Sequence, residues 1–81
     1  MREASFIYHG SSSDKDRVVT LRHIPGPAGT DIKDRYVISV GGMPLLTQVV
    51  TDEDRALEVF DGYWQRAWKD WGPSEIDWSN W

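Results

Sequence analysis

One segment limits what this chain can fold into: residues 51–73, TDEDRALEVFDGYWQRAWKDWGP. Leu57, Phe60, Trp64, Trp68 and Trp71 recur every three or four residues, and Ala56, Tyr63 and Ala67 widen the stripe. That period places them along one side of an α-helix. Thr51 suits the N-cap, and Asp52, Glu53 and Asp54 fill a first turn in which carboxylates complement the helix dipole. Gly72 and Pro73 then stop the helix. A single helix with so broad an apolar stripe must bury it against another element. Only residues 1–50 remain to provide one.

Those residues read as strands. Ala4–His9 contains Phe6, Ile7 and Tyr8, and a polar turn, GSSSDKD, follows over 10–16. Arg17–Ile24 is β-branched, with Val19, Leu21 and His23 on one face and Val18, Thr20 and Arg22 on the other. Pro25–Asp34 (PGPAGTDIKD) is a loop, because its prolines and glycines oppose regular structure. Arg35–Val40 is a third strand, with Tyr36, Ile38 and Val40 on one face. Gly41-Gly42 suits a two-residue hairpin turn, and Leu45–Val50 makes a fourth strand. With that turn, Ile38 lies opposite Leu45 and Tyr36 opposite Thr47; a four-residue loop through Pro44 shifts the register. The expected fold is α+β: an antiparallel meander of three or four strands, covered on one face by one long helix. The 81 residues form one domain, with a meander over 1–50, the helix over 51–72 and a tryptophan-containing tail over 73–81.

Composition narrows the chemistry. There is no cysteine, so disulfides, thiolate metal sites and a cysteine nucleophile are excluded. No apolar run reaches the roughly 20 residues of a membrane span. The N-terminus lacks the apolar core of a signal peptide. A cytoplasmic protein without membrane contact is therefore expected. His9 and His23 sit at strand ends without the paired ligands a metal site needs. Ser11, Ser12 and Ser13 lie in a turn and lack the setting of a nucleophile. GPAGT in the long loop lacks the Gly-Lys-Ser/Thr ending of a phosphate loop. No catalytic residue, no metal and no cofactor is expected, and the chain does not read as an enzyme.

Charge is distributed unevenly. Residues 1–50 carry six Lys/Arg and five Asp/Glu, whereas residues 51–81 carry three and eight. All five tryptophans lie within 64–81. Leu57, Phe60, Trp64 and Ala67 are expected in the core, which leaves Trp68 or Trp71 partly exposed. Trp78 and Trp81 either fold back over an open core edge or serve as a short acidic-aromatic ligand. Exposed aromatics are favoured interface anchors, so the candidate partner-binding residues are Asp61, Trp68, Asp70, Trp71, Glu75, Asp77, Trp78 and Trp81. Tyr8 and Tyr36 could stack on bases, and Arg17, Arg22, Lys33 and Arg35 could form a basic patch on the sheet. A net charge of −4 opposes the counterion release on which nucleic-acid affinity depends, so direct nucleic-acid binding is not expected.

In build, the chain resembles the small acidic proteins that phages make to block host machinery, including anti-CRISPR proteins. The acidic helix start Asp52-Glu53-Asp54, the acidic tail Glu75 and Asp77, and the lack of an active site carry this likeness, which covers the architecture and no residue motif. It implies a protein-binding module, an inhibitor that engages a basic surface of a partner protein. A homodimer joined through Trp68, Trp71 and the tail is the alternative. A small ligand carrier or enzyme using the 25–34 loop is a third reading.

Overall fold

The computed structural model describes residues 2–8, 16–71 and 75–81. His9, the rest of the 9–15 turn, Gly72, Pro73 and Ser74 lie outside the described residues, as do the side chains of Asp70 and Trp71. Strands β1 (Arg2–Tyr8), β2 (Arg17–Ile24), β3 (Arg35–Val40) and β4 (Gln48–Val50) form the meander. Helix α1 (Glu53–Trp71) follows, and a further strand, β5 (Asp77–Asn80), returns to the free side of β1. All pairings are antiparallel, in the order β4-β3-β2-β1-β5.

The pleat sorts the side chains. β1 pairs with β2 from Arg2 opposite His23 to Tyr8 opposite Arg17, and β2 pairs with β3 from Val19 opposite Val40 to Ile24 opposite Arg35. Ala4, Phe6, Val19, Leu21, Tyr36, Ile38 and Val40 therefore share one face, and all are buried. Ala56, Phe60 and Ala67 of α1 close over them. Leu57 and Trp64 are only half-buried, at the margin of this core. Each fully buried side chain the size of Phe60, Leu21 or Ile38 contributes about 1.5–3 kcal/mol.

β1 begins at Arg2 rather than Ala4. The β3–β4 connection and the helix start also differ from the sequence expectation, each for a local reason. The fourth strand is Gln48–Val50 rather than Leu45–Val50, because Pro44, without an N–H, opens a 3-10 turn over Pro44–Leu46. Its register is Ile38 opposite Gln48 and Tyr36 opposite Val50, not Leu45 and Thr47. Only Gly42 of the glycine pair takes a positive φ, 76°, while the Gly41 N–H continues the β2–β3 ladder by donating to the Val18 carbonyl at 2.9 Å. The helix N-cap is Asp52 rather than Thr51. Its Oδ1 accepts the Asp54 N–H at 3.1 Å, and its carbonyl accepts the Ala56 N–H at 3.0 Å.

The tail supplies a fifth strand beyond the expected three or four. Glu3 lies opposite Asn80 and Ser5 opposite Asp77, so β5 carries one extra residue, a bulge. Trp78 thereby turns to the helix side and meets Phe60 at 5.9 Å. Among the described residues, no helix is long and apolar enough to cross a membrane.

Candidate functional site

Glu53, Leu57, Phe60, Trp64 and Trp68 follow one another at helical spacing and form a single stripe on α1. Two contacts show where it points. Glu53 Oε1 accepts from Arg2 Nη2 on β1 at 3.0 Å, and the Phe60 ring meets Phe6 of β1 at 5.3 Å and Trp78 of β5 at 5.9 Å. The stripe thus faces the β1–β5 side of the sheet. Trp64 and Trp68 continue along it, their rings 5.6 Å apart.

β5 adds its own aromatics to this flank. Trp78 and Trp81 meet edge to face at 6.1 Å. The Arg2 guanidinium lies 4.4 Å from the centre of the Trp81 ring, a cation–π contact. Trp81 is half-buried, whereas Trp78 is 44% and Trp68 51% exposed. Asp61 is exposed on α1 and accepts from Gln65 Nε2 at 2.7 Å. Glu75 and Asp77 are exposed on the β5 side. The Ser79 hydroxyl (2.6 Å) and N–H (2.9 Å) donate to Asp77 and hold its carboxyl below its ordinary value of 3.8.

Of the eight residues singled out in the sequence, Asp61, Trp68, Trp78 and Trp81 lie along one flank, whereas Asp77 lies opposite Ser5, on the other face of the sheet, and Glu75 is exposed just before β5. The side chains of Asp70 and Trp71 lie outside the described residues. The arrangement offers flat apolar rings, with Asp61 at one border and Gln65, Arg66 and Lys69 beside Trp64 and Trp68. Exposed rings of this kind suit a partner's arginine or lysine, whose stem can pack on them.

The expected basic patch is divided between the two faces of the sheet. Arg17 lies opposite Tyr8 on the helix side of the sheet, while Arg22 and Arg35 point to the other face. Arg22 Nε is moreover paired with Glu3 Oε2 at 3.0 Å. On that open face Ser5, Thr20 and Ser39 form a cross-strand row beside the half-exposed Ile7 and Val18.

Sequence reasoning did not foresee a polar network at the start of α1. Arg2 Nε donates to His23 Nδ1 at 3.1 Å. A guanidinium can only donate, so Nδ1 is the acceptor in this contact, and Nε2 lies 2.9 Å from Asp34 Oδ2. Asp34 Oδ1 accepts the Gly26 N–H at 2.8 Å; this bond first, and His23 second, hold its carboxyl below 3.8. His23 also stacks on Tyr36 at 4.7 Å, and burial, aided by the charge of Glu53, pushes the Tyr36 hydroxyl above 10.0. Both ring nitrogens of His23 are engaged within the chain. The network instead ties β1, the 25–34 loop and α1 together. Its signal lay in the register of the first hairpin, which sets Arg2 opposite His23. Among the described residues, no group of three or more His, Asp or Glu converges as a metal site would require. No family model, curated protein or solved structure matches the chain.

Proposed function

We propose that the chain is a non-enzymatic protein-binding module that engages a basic surface of a partner, acting as a small acidic inhibitor does. The supporting observation is the exposed tryptophan flank, with Asp61 at its edge. Large aromatics seldom stay in water without use, yet Trp68 and Trp78 remain about half-exposed on one side of the molecule. Arg2 on Trp81 is an example within the chain of the contact proposed between chains. The net charge of −4 favours encounter with a positive surface.

Affinity capture with the whole chain tests this reading, using wild type and Trp68→Ala side by side at low and high salt. Trp68 is exposed enough for its removal to leave the fold standing. A true partner is retained by wild type, reduced by the substitution and weakened by salt, since exposed charges are screened over about 10 Å at 0.1 M ionic strength. Equal capture by both proteins at both salt levels defeats the proposal. A concentration-dependent dimer that Trp68→Ala disrupts assigns the flank to self-association instead.

A further inference from the structure

On the opposite side of α1 from the tryptophan flank, a cavity of about 180 Å³ opens between the helix and the end of the sheet. Buried Val19 and Val40 line it from the sheet, Tyr63 from the helix, and Met43 and Leu46 from the β3–β4 connection. Tyr8 and two arginines, Arg17 and Arg66, complete the described lining, and no acidic side chain joins them among the described residues. In a chain of net charge −4 this is a local inversion of sign.

Both cations are placed for use. Arg17 Nη1 donates to the Gly41 carbonyl at 3.1 Å, which holds the guanidinium at the glycine turn. Gly42 makes room for it, since a Cβ there would come within 2.7 Å of Nη1. Arg66 is exposed and makes no ion pair with the described residues. The wall formed by Pro44–Leu46 buries none of its residues, and Met43 and Leu46 are 39% and 38% exposed. An occupant would cover apolar surface that the chain leaves in water.

The geometry points to a binding site for a small organic carboxylate with a compact apolar body, such as a single aromatic ring. The volume matches that ligand, because an apolar cavity of about 150 Å³ accepts benzene. The ring lies against Val19, Val40 and Leu46, and the carboxylate reaches Arg17 and Arg66, whose planar donors suit it. Inorganic phosphate meets the charge but leaves the apolar walls unfilled.

The test is an NMR titration of the ¹⁵N-labelled chain with phenylacetate, phenylacetamide and inorganic phosphate. Phenylacetate should give saturable shifts at Val19, Val40, Gly41, Met43 and Tyr63, with a Kd of about 1 mM or tighter. Phenylacetamide, lacking the charge, should bind about tenfold more weakly, and Arg66→Gln should weaken phenylacetate by a similar factor. Arg66 is exposed, so this variant keeps the fold, and the amide tests the charge without any substitution. No saturable shift up to about 10 mM overturns the assignment. So do equal affinities for acid and amide, the same shifts with phosphate, or shifts confined to another part of the molecule.

Discussion

Phe60→Ala probes the packing of helix on sheet most severely. Phe60 is 1% exposed and touches Phe6 at 5.3 Å and Trp78 at 5.9 Å, so it joins α1, β1 and β5. Truncating a buried phenylalanine costs about 3–5 kcal/mol. The loss of two aromatic pairs, each about 0.5–1.5 kcal/mol, puts this site in the upper part of that range. Total stability for a chain this long is about 4–12 kcal/mol. At about 4–8 °C per kcal/mol, the melting temperature should fall by about 20 °C or more. Trp64→Ala removes a larger side chain, but one only half-buried, and should cost about 1–3 kcal/mol. Thermal unfolding followed by far-UV circular dichroism compares the two. If Trp64→Ala lowers the melting temperature more than Phe60→Ala, the helix faces the sheet at a different rotation and the packing argument fails.

Two further outcomes follow from local geometry. Gly42→Ala should destabilise by about 1–2 kcal/mol, because its φ of 76° disfavours a side chain and the new Cβ crowds Arg17; an unchanged urea midpoint would count against that turn. Asp34 and Asp77 titrate below 3.8 in the folded chain, so the unfolded chain binds protons first as pH falls. Their stabilisation is complete above about pH 5 and disappears as pH drops through the folded values. The melting-temperature gap between wild type and an Asp34→Asn, Asp77→Asn double variant should therefore close between about pH 5 and 2, and a gap that stays constant refutes the assignment.

Where local chemistry decides the structure, the sequence is easy to read. The bounds of β2 and β3 follow from β-branched runs ended by Pro25 and Gly41, and the helix from its stripe and acidic first turn. The N-cap lies one residue later than Thr51 because Asp52 can cap equally well, a choice that propensity does not resolve. β5 carries no local strand signal: DWSN is extended because the free edge of β1 accepts it, which is a tertiary effect. Trp68, Trp78 and Trp81 stood out as candidate contact residues by being aromatic and near an acidic end. The ties among Arg2, His23, Asp34 and Glu53 were not, since they join residues up to 51 positions apart. The arginine-lined cavity escaped for the same reason, as Arg17 and Arg66 meet only after the helix folds across the sheet.

The tryptophan flank as the contact surface is the central claim, and site-specific photo-crosslinking tests it most directly. A benzophenone side chain at position 65 sits on exposed α1 surface beside Asp61 and Trp68, whereas one at position 18 sits on the opposite, open face of the sheet. Illumination in cells that contain the partner should give a discrete cross-linked species from position 65 and none from position 18. A discrete species from position 18 alone would contradict the account and move the interface to the open face of the sheet.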